Sequence, residues 1–105
     1  MNGNYIKINR TILRSTAVAC VMTQCKTDYL HALGAIISGL LLFNEQSKNG
    51  YLSGYTVKAF DDLIGLTGLA DALCDPRVGW MKVNEDGLTL LDKKTKGAKL
   101  WSISE

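Results

Sequence analysis

Proline occurs once in this chain of 105 residues, and histidine once. No proline-rich, glycine-serine-rich or low-complexity stretch divides it and no internal repeat is visible, so one domain is expected. Cysteine is scarce and oddly placed: Cys20, Cys25 and Cys74 include no CxxC pair. That spacing excludes a disulfide framework and the common structural zinc sites. Cys20, Cys25 and His31 can be drawn around a metal on paper, but a fourth ligand is missing. Reduced thiols are expected, with no metal and no cofactor. No apolar run approaches the roughly twenty residues that a bilayer demands. No Lys/Arg-led apolar segment opens the chain, so the expected location is cytoplasmic, with no membrane partner. Charge of one sign is also lacking, and a net +2 is too small to name a partner.

What is present is a core. Nearly half the residues are apolar and about a fifth are charged, which argues against disorder. The longest apolar stretch, DYLHALGAIISGLLLF from Asp28 to Phe43, places Leu30, Leu33, Ile37, Leu40 and Leu41 at helical spacing. Ile36, Leu42 and Phe43 fill the other side, so this helix is expected to be buried on nearly all faces. Asp28 supplies its start signal. Gly34 and Gly39 are expected where neighbouring backbone comes close.

Taken in order, Tyr5 to Ile8 alternates in period two and reads as a short strand with Lys7 facing water or a phosphate. From Thr11 to Gln24 the apolar positions Ile12, Leu13, Ala17, Val18, Val21 and Met22 follow a helical stripe. Ser15 or Thr16 can cap a second start, which leaves one helix or two open. Arg10 and Arg14 stand at i, i+4. After the core helix, Asn49-Gly50 signals a turn and Tyr51 to Tyr55 an extended stretch. Thr56 caps a helix from Val57 to Ile64 that Gly65 stops. A Gly-containing turn leads to a short helix near Leu69–Asp75, ended by Pro76. Two short helices joined this way carry a helix-turn-helix signature. Residues 79–83 and 88–91 flank Asn84-Glu85-Asp86-Gly87 as a hairpin, whose Asp-Gly is expected to supply positive φ. The expected fold is therefore α+β, a winged helix-turn-helix of about four helices with a short N-terminal strand and a C-terminal hairpin wing. Residues 1–92 form the domain and 93–105 a basic tail.

The residues also carry a family likeness. The pair Leu33-Gly34, the Gly-x-Leu-x-Gly-Tyr-Thr segment Gly50 to Thr56, and Asp62-Leu63-Ile64-Gly65 occur in one order with Gly-x-Ala-Asp-Ala-Leu at Gly68 to Leu73 and Val-Gly-Trp-Met at Val78 to Met81. In order and spacing these resemble the N-terminal winged-helix domain of phage and prophage replication-type proteins, over about two thirds of the chain. The resemblance implies DNA binding. The basic segment that follows the hairpin in that family has only an echo here, Thr95 to Lys99, before LWSISE. The chain thus reads as the module standing alone or as a cut-down relative.

Candidate site residues divide by charge. Phosphate contacts are expected from Lys93, Lys94, Lys96 and Lys99 of the tail, Lys82 on the wing, and Arg10, Arg14 and Arg77. Against this, Ser53 to Asp92 carries three cations (Lys58, Arg77, Lys82) and seven carboxylates (Asp61, Asp62, Asp71, Asp75, Glu85, Asp86, Asp92), which phosphate repels. An alternative is a protein-interaction module that keeps the scaffold, for example a phage inhibitor of a host defence (anti-CRISPR-like) or replication protein. Its acidic face would comprise Asp61, Asp71 and Asp75, with Tyr55 and Trp101 as aromatic contacts. No enzyme is expected: His31 has no acidic partner fixed by spacing, Asp61 and Asp62 point to different helix faces, and no phosphate-binding glycine loop occurs. The chain is expected as a monomer, or as a homodimer built on Trp101 and the first helix.

Overall fold

The computed structural model describes residues 6–91, 94–95 and 98–102 of the chain. It is an α+β structure of four α-helices, one 3₁₀ turn and short antiparallel strands: β1 (Lys7–Ile8), the 3₁₀ turn (Arg10–Arg14), α1 (Thr16–Gln24), α2 (Tyr29–Gln46), β2 (Tyr51–Ser53), α3 (Val57–Ile64), α4 (Leu69–Cys74), β3 (Met81–Asn84), β4 (Gly87–Leu90), β5 (Lys94–Thr95), β6 (Ala98–Lys99) and β7 (Trp101–Ser102). Strands β2, β4 and β3 form one sheet in that order, with Leu88 opposite both Leu52 and Val83.

Local signals set the helix ends. Asp28 accepts the His31 N–H at 2.8 Å to start α2, and Thr56 accepts the Ala59 N–H at 3.0 Å to start α3. Gly65 ends α3 at φ 93°, a left-handed conformation that glycine adopts without a Cβ clash. The stretch before α2 resolves into two elements. Ser15 sits between them in extended backbone, and its hydroxyl bonds back to the Ile12 carbonyl at 2.8 Å instead of capping α1.

Helix α2 packs against α1, α3 and β2, but on one face only. Ala32, Ala35, Ile36, Gly39, Leu40 and Phe43 are buried, whereas Leu30 is 75% exposed. Burial on nearly all faces, as the hydropathy suggested, does not occur, because among the described residues α1, α3 and β2 cover α2 from one side. The two glycines differ accordingly. A Cβ at Gly39 would stand 3.1 Å from the Phe60 ring, so Gly39 is where α3 leans on α2, and Phe43 and Phe60 meet there at 5.8 Å. At Gly34 a Cβ would meet nothing within 4 Å.

The hairpin forms at the expected place by a different route. Asn84 pairs with Gly87 across a two-residue turn, yet Glu85, Asp86 and Gly87 all keep negative φ. Glycine is needed at 87 for space: a Cβ would lie 2.4 Å from the Leu52 carbonyl and 2.7 Å from the Tyr51 hydroxyl. The hydroxyl of Tyr51 donates to Asp86 across the same corner.

The end of the described chain belongs to the fold. β7 pairs antiparallel with β1, setting Trp101 opposite Ile8, and Leu100 accepts the Asn9 N–H at 2.7 Å. Leu100 and Trp101 are buried, and the Trp101 ring meets Trp80 edge-on at 4.7 Å. A domain ending at residue 92 with a separate tail does not describe this arrangement. Long-range pairing overrides the polar composition of the tail. Tyr5, expected in the first strand, lies outside the described residues. No helix among the described residues is long and apolar enough to cross a membrane.

Candidate nucleic-acid interface

The α3–α4 turn is fastened from within. Asp61, expected on an acidic surface, is buried at 6% exposure, and its carboxylate accepts the Gly68 N–H at 2.9 Å and the Ala70 N–H at 2.8 Å. It thereby serves the first turn of α4, whose N-cap residue Gly68 has no side chain to do so. Its role is internal, not that of an interaction residue.

Helix α4 is a poor reader of bases. It has six residues, of which Leu69, Ala70, Ala72 and Leu73 are buried beneath α1, α3 and β3. Asp71 is its exposed position, and Cys74 is half-buried. Readout of a major groove needs side chains that can extend from an accessible helix face, mostly Arg, Lys, Asn or Gln. A single carboxylate cannot supply that.

Two of the expected cations are engaged within the chain. Arg77 grips Asp75 through two contacts, Nε to Oδ1 at 3.1 Å and Nη2 to Oδ2 at 3.0 Å, while Gln24 donates to Oδ2 at 2.8 Å. The Arg77 guanidinium, helped by its backbone N–H, holds the Asp75 carboxyl well below the usual carboxylate range. The pair neutralises one member of the basic set and one of the acidic set together. Arg14 donates to the Tyr29 hydroxyl at 2.9 Å and lies 5.7 Å from the centre of that ring. Arg10 and Arg14 do not share a face, because at three residues per turn a 3₁₀ segment offsets i and i+4 by a third of a turn.

Three further exposed cations flank the β1–β7 pairing. The Asn9 side chain donates to the Lys99 carbonyl at 3.4 Å, and Asn9 stands between Lys7–Ile8 and Arg10. Since β1 runs beside β7, exposed Lys7, Arg10 and Lys99 fall along one seam. The β5–β6 register brings the backbone of Lys94 opposite Lys99. Lys93 and Lys96 lie outside the described residues. None of Lys7, Arg10 and Lys99 makes an ion pair with a described residue. Lys82 is exposed on β3, opposite Thr89 and away from this seam in the sheet order. The period-two alternation of the first strand already put Lys7 on the wet side. What sequence reasoning missed was its neighbour, since pairing across more than ninety residues leaves no local trace.

The acidic candidates thin out similarly. Asp71 is exposed, Asp62 pairs with Lys58 at 2.7 Å, Tyr55 is half-buried against the core, and Trp101 is inside it. Burial pushes the Cys25 and Cys74 thiols up, and the Asp61 and Asp71 carboxylates add to the effect. Both therefore stay protonated at neutral pH. His31 rests on Asp28 at 2.9 Å. Among the described residues, no three His, Cys, Asp or Glu side chains cluster as metal ligands would.

Comparison of the chain with family models, curated proteins and solved structures finds no match.

Proposed function

We propose that this is a non-enzymatic binding module on a winged-helix scaffold that contacts nucleic acid through phosphate, with little sequence reading. The scaffold assignment is supported by the order α3–turn–α4–hairpin and by β2 pairing with β4. The observation that carries the function is the seam. Lys7, Arg10 and Lys99 are exposed, make no ion pair with a described residue, and flank the β1–β7 pairing. Phosphate binding needs little more than such a row of cations, whereas base reading needs a groove-entering element, and α4 is covered.

The test is binding to a labelled random duplex and a labelled single strand across a salt series. Changing Lys7, Arg10 and Lys99 together to Gln is expected to lower the slope of log K against log salt by about 2 to 3 units. The same change should weaken all sequences alike. An unchanged slope, or no binding at low salt, removes the reading.

A second reading, the protein-interaction module, is favoured by one observation: Asp71 is the one exposed residue of a helix whose Leu69, Ala70, Ala72 and Leu73 are buried. On this reading the partner is a host or phage protein with a basic surface. Reversing Asp71 to Lys should abolish capture of that partner and leave nucleic-acid binding no weaker.

A further inference from the structure

We infer that a cavity beside the cationic seam receives one unstacked nucleobase, which makes single-stranded nucleic acid the ligand of this chain. The inference rests on the phosphate-binding reading above and names the kind of strand that the seam holds. The cavity measures about 270 Å³ and lies between the start of α1, the segment after α4, and Leu100. That volume is just below the roughly 300 to 1,000 Å³ of pockets for drug-sized ligands, and suits a single ring system. Its position ties it to the seam. Thr11 and Leu100 both line it, and each directly follows a seam cation, Arg10 and Lys99. Such neighbours stand about 3.8 Å apart along the chain. The Asn9 N–H donates to the Leu100 carbonyl at 2.7 Å and holds the two sides together. A strand with a phosphate at Arg10 or Lys99 therefore has an adjoining base at the mouth.

The lining decides what chemistry enters. Val78, Trp80 and Leu100 are buried side chains that supply apolar walls. With them stand the hydroxyls of Thr11, Ser15 and Thr16 and the guanidinium of Arg77. A hydroxyl has one hydrogen and two lone pairs. Thr11 spends its hydrogen on the Asn9 side chain at 3.0 Å, and Ser15 spends its own on the Ile12 carbonyl at 2.8 Å. Both can then only accept. Thr16 is exposed, and its hydroxyl makes no hydrogen bond with a described residue, so it can donate or accept. Arg77 has committed Nε and Nη2 to Asp75, which leaves Nη1 as a donor. A phosphate brings acceptors alone, and would meet two spent hydroxyls and a guanidinium already neutralised. A nucleobase brings a flat apolar face with donors and acceptors along its edge, which matches both the walls and the mixed polar groups. In a duplex that edge is paired and that face is stacked, so the base comes from a single strand.

The probes are a single strand of about eight adenine nucleotides, a fully abasic strand with the same phosphates, and a hairpin duplex. Affinity for the whole chain is read at low salt by fluorescence anisotropy of the labelled strand. Occupancy of the cavity is read by intrinsic emission, since Trp80 lines it and Trp101, the other tryptophan, touches Trp80. The adenine strand is expected to bind at least about fivefold tighter than the abasic strand, and it alone of the three should change the emission. Thr16→Phe, at an exposed position, closes the mouth. It should keep the melting temperature and the abasic-strand affinity, and lose both the base preference and the emission change. Thr16→Val removes only a hydroxyl and should weaken the adenine strand about threefold. Equal binding of the adenine and abasic strands with the same salt slope overturns the inference and leaves the seam standing. So does a base preference that survives Thr16→Phe. Binding of neither strand at low salt overturns the seam reading and this inference together.

Discussion

Asp61 shows how much one side chain can decide. Its two backbone N–H contacts hold the α3–α4 turn at a point where glycine at the N-cap offers no oxygen of its own. Asp61→Ala leaves both donors unsatisfied in a buried setting and is expected to cost roughly 2–4 kcal/mol, measurable by urea unfolding. Asp62→Ala, one residue on, breaks only an exposed i, i+4 pair with Lys58 and should cost less than about 0.5 kcal/mol. The adjacent carboxylates thus separate into a structural and a solvated residue. Asp75 makes a prediction in pH. Its carboxyl is depressed in the folded chain, so the stability it adds is full above the unfolded carboxylate value near 4. That stability is lost as pH falls through the lower folded value. The melting-temperature gap between wild type and Asp75→Asn should therefore close as pH drops below about 4. A gap that stays constant would assign the effect to packing.

Elements differ in how far their neighbours can be foreseen. The starts of α2 and α3 and the stop at Gly65 were legible because Asp28, Thr56 and Gly65 act within four residues of themselves. The exposed side of α2 was not. Hydropathy marks both sides of that helix apolar, and which side is covered depends on where α1 and α3 pack. The hairpin was found through an Asp-Gly signal whose reason was different, since Gly87 is required by the approach of β2 and not by its φ. Two glycine substitutions separate these cases. Gly34→Ala adds a methyl where nothing stands within 4 Å and should stabilise the chain by up to about 1 kcal/mol. Gly87→Ala drives a Cβ into the Leu52 carbonyl and should destabilise by about 1–3 kcal/mol. Thermal melts of the pair should move in opposite directions.

For the whole molecule, the candidate site was legible as composition and not as place. Tail lysines were visible in the sequence, but Lys7 joins Lys99 only because β1 and β7 pair. Arg77 drops out of the set because Asp75 lies within its reach. Trp101 fastens that arrangement to the core through Trp80. Trp101→Ala is expected to cost about 3–5 kcal/mol and to weaken phosphate binding along with it. Lys99→Gln should weaken binding and leave stability near wild type. If both variants changed binding without changing stability, the coupling between seam and core would be refuted.

The pairing of β1 with β7 also orders events in time. During synthesis Lys7 and Ile8 precede the other described strands and wait for partners some ninety residues downstream, among the last described residues to appear. Helices α1 to α4 can pack as they emerge, whereas Trp80 keeps an open flank until Trp101 arrives. Among the described residues the cationic edge is thus completed late, so on the proposed reading a nascent chain holds phosphate only after Trp101 has closed on Trp80.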